Sequence, residues 1–320
     1  MTLLALALGA LGLGLWLVLR PTHQPPALVV GVDDDTLKWT PFPLTVVRRQ
    51  ESLGADAVRV WVPWHGEIAP TAVRRVELSR AETAARKTTV VLAVFGFGPS
   101  TPTAAWQQRR FCGYAKAALA LVPDVRAVVV WNEANSPTYW RGSPAQYEAL
   151  LAHCYDVLHS RHVKVLDSTA SAHTPIRFLD AVALAYRSSG RTRPLVDAFG
   201  HNPYPLTQTE PPGAVHTGDF LGEGDYARLV ATLQTFGGTP SIWYLEDGFQ
   251  TTTVSPAQQA QDVAEAIDMA ACQPLVHAFF NFELVDEKRA AGWHSGLIWR
   301  GGKVKPAAVA FARAQRRCRP

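Results

Sequence analysis

Short apolar runs rich in Val alternate along this chain with longer stretches whose apolar residues recur at helical spacing. Eight runs read as strands: 27–32 (ALVVGV), 57–62 (AVRVWV), 88–95 (TTVVLAVF), 125–131 (VRAVVVW), 163–168 (VKVLDS), 195–200 (LVDAFG), 241–246 (SIWYLE) and 276–282 (VHAFFNF). Between them lie amphipathic patterns with helix-start signals. Ser143-Pro144 and Ser255-Pro256 each place an N-cap residue before a Pro at the first helical position. The stretch KPAAVAFARAQRRC, ending at Cys318, reads as a closing helix. Near-continuous apolar strands are what parallel strands covered on both faces require. Eight of them alternating with helices predict a single (β/α)8 barrel, an α/β fold, over residues 28–320. A doubly wound open sheet is disfavoured: no G-x-G-x-x-G follows the first strand, and VVGVDDD puts acids where a pyrophosphate would sit.

The N-terminus differs from the rest. Residues 2–19 carry no charge, a run long for a signal h-region and just long enough to span a bilayer. Residues 1–20 are therefore expected to be a signal peptide or membrane anchor, with possible membrane association through 2–19. Residues 21–27 read as a Pro-rich linker. An extracytoplasmic location, secreted or anchored, follows. The four cysteines form no C-x-x-C, and an even count beside an export-like segment suggests two disulfides. In barrel order the helices bearing Cys112 and Cys154 are neighbours, as are those bearing Cys272 and Cys318, so these are the expected pairs. The net charge of +4 is small and no basic tract is present, which argues against nucleic-acid binding. Ten Trp and eight Tyr bring flat-faced ligands such as sugars into view.

Functional groups in such barrels collect at the C-terminal ends of strands. Here those ends carry Asp33 and Asp34, then Trp64 and His65 with Arg59 inside the second strand. Asn132 and Glu133 end the fourth, and His201, Asn202 and Tyr204 the sixth. Glu246 and Asp247 end the seventh, and Asn281, Glu283 and Asp286 the eighth. The opposite ends carry no comparable set. Glu133 and Glu246 lie on strands that face each other across the barrel mouth. Two opposed carboxylates are what glycoside hydrolysis needs, one to protonate the leaving oxygen and one to attack or to activate water. The triple Asp33–Asp35 is read as a loop, with Asp34 a candidate sugar ligand rather than a metal ligand. No H-x-H stands at a strand end, so neither a metal nor another cofactor is expected. Trp39, Trp64, Trp140 and Trp299 fall in loops or strand ends, where sugar stacking is plausible.

The segment VWNEANSPTYWRGSPAQYEALLAHCYDVL resembles the acid/base segment of clan A glycoside hydrolases, nearest to families 39 and 5. DAFGHNPYP resembles their strand-six segment, SIWYLEDGFQT their nucleophile strand, and GWHSGLIWRGGKVKPAAVAF their closing segment, all in family order. The resemblance implies a retaining glycosidase acting on an oligo- or polysaccharide. Glu133 would be the acid/base and Glu246 the nucleophile. Asn132 would meet the sugar 2-hydroxyl, and Tyr204 would orient Glu246. Arg59 would sit beneath Glu246, His201 would lie near the acid/base or line the pocket, and Trp293 would stack on a sugar. Three positions depart from the family pattern: Ala134, Leu245, and the extra residue in HNPY that leaves His201 and Asn202 as alternative counterparts. A transglycosidase or a non-catalytic glycan-binding barrel would share these residues.

Overall fold

The structure is a computed structural model that describes residues 27–168, 170–289 and 292–318. The apolar run 2–19 and all but the last residue of the linker lie outside the described residues. Among the described residues no helix is long and apolar enough to cross a membrane.

The strands are β1 (Val29–Asp33), β2 (Ala57–Pro63), β3 (Thr89–Phe95), β4 (Ala127–Val130), β5 (Lys164–Asp167), β6 (Ala170–Ser171), β7 (Phe199–Asn202), β8 (Ile242–Asp247) and β9 (Val276–Asn281). Every pairing between them is parallel, in the order β5-β4-β3-β2-β1-β9-β8-β7-β6. The short β6 continues the β5 stave after a break, so nine segments form eight staves. The ring closes between β5 and β7 through the Leu166–Ala198 bridge and the Asp197 N–H donating to the Val165 carbonyl at 2.7 Å. This is the expected (β/α)8 barrel.

Helices cover the outside: α1 (Thr36–Trp39), α2 (Pro43–Ser52), α3 (Ala72–Ala85), α4 (Ala105–Leu119), α5 (Pro144–Leu158), α6 (Pro175–Ser188), α7 (Tyr226–Leu233), α8 (Pro256–Cys272) and α9 (Pro306–Arg313). The expected caps form. The Ser143 side chain accepts from the Gln146 N–H while Gln146 reaches back to the Ser143 N–H, and Ser255 caps α8 through the Gln258 N–H. Each cap is worth about 1 kcal/mol. On β2, alternate residues face opposite ways. Val58, Val60 and Val62 are buried in the core, whereas Arg59 and Trp61 turn toward the barrel mouth.

Both expected disulfides are present, Cys112–Cys154 between α4 and α5 and Cys272–Cys318 at the end of α8, with Cα separations of 5.0 and 4.5 Å. Most strand boundaries differ by one or two residues from the sequence expectation, and two differences are larger. Helix α9 stops at Arg313, so Cys318 lies in the tail beyond it. That tail is held by the Leu28 N–H donating to the Arg316 carbonyl and by the disulfide. The sixth predicted strand begins later, at Phe199: Asp197 and Ala198 before it pair with Val165 and Leu166 of β5, and the ladder with β8 starts only at Phe199. The shift puts His201 and Asn202 on the strand instead of after it.

Candidate active site

Arg59 organises the barrel mouth. It projects from an otherwise apolar strand and is buried. Its Nη1 lies 2.7 Å from Asp33 Oδ1 and 2.8 Å from Glu246 Oε1, and its Nη2 donates to Asn132 Oδ1 at 3.1 Å. Asp33 and Arg59 are register partners on β1 and β2, which explains their pairing. Asp33 and Glu246 share one guanidinium and compete for a single positive charge. Burial pushes the Asp33 carboxyl well above the usual range, with Arg59 opposing and Glu246 adding to the shift.

At the end of β4 the backbone takes two unusual turns. Trp131 has φ 67° and Glu133 φ 38°, left-handed values that cost of order 1–3 kcal/mol each for non-glycine residues. Trp131 is locked by aromatic neighbours, Phe111 at 5.4 Å, Trp140 at 5.7 Å and Trp64 at 6.3 Å, and by its Nε1–H donating to the Tyr139 carbonyl. The packing holds the strain and swings Asn132 toward Arg59 and the Ser168 hydroxyl. Asn135 ties the same loop to the β6 stave through Ser171 and His173. Ala134 is buried beneath it.

Glu133 accepts from Asn202 Nδ2 at 2.9 Å. Burial and then the nearby Glu246 push its carboxyl up to about 7, against the opposing pull of Asn202 and Arg59. Glu246 is delivered by β8, whose register with β9 shifts between Tyr244 and Asp247. Such irregularities re-aim side chains. Tyr204 directs its hydroxyl at Glu246 Oε2, 3.4 Å away. Leu245 is accommodated by Gly200: a Cβ there would come within 2.4 Å of the Leu245 side chain and 2.1 Å of the Asp167 carbonyl.

Two cavities meet at this group. One of about 400 Å³ is lined by Arg59, Asn132 and Glu246 together with Asp33, Glu283 and the aromatic residues Trp61 and Tyr139. The other, of about 430 Å³, is lined by Glu133, Asn135, His173, Tyr204 and Leu206. Trp293 borders both, its ring 5.3 Å from Tyr204 and 5.5 Å from Phe282. Glu283, which follows a cis peptide bond after Phe282, is pushed up to about 9 by burial and by Glu287.

Glu133, Glu246, Asn132, Arg59, Asn202, Tyr204 and Trp293 thus come together. Other candidates are placed differently. His201 turns away from both cavities, its Nε2 against the Leu221 carbonyl at 2.9 Å, and Asn202 makes the contact with Glu133 instead. Trp64 is buried against Phe111 and Trp131, its Nε1–H bonded to the Glu67 carbonyl, so it offers no face to a sugar. Trp140 is likewise core, and Trp299 lies under the Lys305 ammonium. Asp34 borders the first cavity, but Thr36 and Gln50 occupy its carboxylate. Asp33 and Tyr139 are the residues that strand-end reading undervalued. The signal for Asp33 was the lone Arg opposite it in an apolar strand. Among the described residues no group of three or more His, Cys, Asp or Glu side chains could hold a metal ion.

No protein-family model matches the chain, and no curated protein sequence matches it. Solved structures do. A family 39 glycoside hydrolase from the gut symbiont Bacteroides cellulosilyticus WH2 superposes with a TM-score of 0.69 at 17% identity, over 91% of this chain and 64% of that one. A GH5_18 protein from Streptomyces cattleya in complex with GlcNAc gives 0.67 at 18% identity, over 92% and 83%. An exo-β-1,4-mannosidase from Opitutaceae bacterium strain TAV5 gives 0.63 at 16% identity, over 90% and 60%. This chain therefore spans about two thirds or less of two of these proteins. At such identities the likeness is one of fold: the chain is built on the (β/α)8 barrel that these glycoside hydrolases share.

Proposed function

We propose that this chain is a retaining glycosidase that cleaves O-glycosidic bonds of an oligo- or polysaccharide by double displacement. The observation that carries the reading is the division of labour between two carboxyls at one cleft. Glu246 has Arg59 as its counter-charge at 2.8 Å, whereas Glu133 is pushed up to about 7 and so holds a proton near neutrality. In the first step a Glu246 oxygen bonds to the anomeric carbon as the glycosidic C–O bond breaks. The Glu133 proton passes to the departing oxygen. With Glu246 esterified its charge is gone, and Glu133 ionises. It then takes a proton from the water that attacks the anomeric carbon and releases Glu246. Asn132, fixed by Arg59 and Ser168, is positioned for the sugar 2-hydroxyl, a contact that strengthens in the transition state. Trp293 offers its ring to the sugars on either side.

The two disulfides suit an oxidising compartment, so residues 1–20 are read as the export signal or anchor that takes the barrel there. The test is a panel of aryl glycosides and plant or bacterial polysaccharides, with Glu246→Gln as control. Proton NMR of the first-formed anomer completes it. Product of retained configuration, lost in the variant, supports the proposal. Inverted product, or activity that survives in Glu246→Gln, overturns it.

A further inference from the structure

We infer that the cavity on the Glu246 side holds two consecutive sugars, the outer one stacked on Trp39 and Phe97, so that the cleft grips an interior stretch of a glycan chain. The inference rests on the glycosidase reading, because the roles of the two carboxyls fix the polarity of the cleft. A proton from Glu133 must reach the leaving oxygen, so the leaving sugar occupies the cavity that Glu133 lines. The other cavity, with Glu246 and Asn132, then receives the sugar that becomes esterified and whatever precedes it in the chain.

The inner and outer parts of that cavity make different demands. Near Arg59 the wall is polar. Asp33 Oδ2 and Glu283 Oε1 are buried with no hydrogen-bond partner among the described residues, so sugar hydroxyls, which both donate and accept, can pair with them there. Outward from Asn132 the wall becomes a chain of rings. Tyr139 stacks on Phe97 at 5.6 Å and 21°, and Phe97 meets Trp61 edge-on at 5.9 Å. The Lys38 ammonium lies 5.6 Å from the Trp61 ring and 5.5 Å from the Trp39 ring, bridging the two. The series ends in solvent, with Phe97 42% and Trp39 59% exposed, and both still line the cavity. An aromatic face with no polar groups to satisfy fits the C–H face of a second sugar. The Glu133 cavity also ends openly, at Leu206, which is 46% exposed. A cleft open at both ends suits a chain passing through it.

The test compares 4-methylumbelliferyl glycosides of one, two and three β-linked glucose or mannose units, and the products formed from the corresponding hexasaccharides. The proteins are wild type, Trp39→Ala and, as control, Trp106→Ala on α4, which is 57% exposed and outside both cavities. The expected result is a kcat/KM about tenfold higher for the two-sugar than for the one-sugar glycoside. Trp39→Ala should remove most of that gain, and Trp106→Ala should alter neither the one-sugar nor the two-sugar rate. Hexasaccharides should yield fragments of two or more sugars. Release of single terminal sugars, or no gain from the second sugar, overturns this subsite and leaves the glycosidase reading standing. No cleavage by the wild-type protein of any member, nor of the broader panel of aryl glycosides and polysaccharides, fails both.

Discussion

Arg59 bridges Glu246 and Asp33, 2.8 and 2.7 Å from their nearest oxygens, inside a barrel wall where it is the only charge on its strand. Removing one member of a buried ion pair strands the other, at about 3–5 kcal/mol. Arg59→Met should therefore lower unfolding stability by about that much in urea titrations. Adding Asp33→Asn to it should recover part of the loss, because one stranded carboxylate disappears. Additive losses in the double variant would show that Arg59 and Asp33 are not coupled.

The two carboxyl variants should differ by substrate. Glu133→Ala should slow glycosides with poor leaving groups by about 10²–10⁴-fold. It should spare the first step on dinitrophenyl glycosides, whose leaving group needs little protonation. Added azide should then yield a glycosyl azide of retained configuration. Glu246→Ala should abolish turnover on all substrates without azide. Activity retained in both variants would remove these residues from the chemistry.

With Glu133 pushed up to about 7, kcat/KM should fall as pH rises through about 7, since the first step needs the protonated acid. Asn202 donates to the ionised form and so holds this value down. Asn202→Ala should move the alkaline limb upward. A limb that stays in place would show that Asn202 does not tune Glu133.

Asp247, behind the catalytic cleft, is pushed up to about 8 by burial. An acid that binds its proton more tightly folded than unfolded makes stability fall between the two values. The loss should begin near the unfolded value of about 4 and level off above about 8. Asp247→Asn keeps the acceptor used by the Gly248 N–H and removes the ionisation. The variant should show a flatter Tm-against-pH curve from pH 5 to 8. An unchanged slope would assign the pH dependence to other groups, the buried Glu223 first among them.

The disulfides close loops with separations of 42 and 46 residues. Replacing either pair with Ser should cost about 4 kcal/mol by the loop-entropy relation, read as a lower urea midpoint. Neither borders the two cavities of the cleft, so kcat/KM at 25 °C should not change. A change in activity without a change in stability would point to a role in the cleft.

Much of this could be read from the chain alone, because alternation of Val-rich runs with capped amphipathic stretches has few solutions other than the barrel. Strand ends at one barrel face then put Glu133, Glu246, Asn132 and Arg59 together, and barrel order paired the cysteines. Direction was not legible. Whether Asp33 or Asp34 meets Arg59 and whether Asn202 or His201 meets Glu133 each depend on a shift of one residue, and whether Trp39 or Trp64 faces the cleft depends on how their separate elements pack. The β1–β2 register decides the first, and the same kind of local departure aims the other site residues: the positive φ at Trp131 and Glu133, the register shift after Tyr244, and the late start of β7. Each is held by contacts with elements far away in sequence: the aromatic cluster around Trp131, the β9 ladder, and Asp197 bound to Val165. Periodicity sets which residues can share a face, but only tertiary packing stabilises the local departures that aim them.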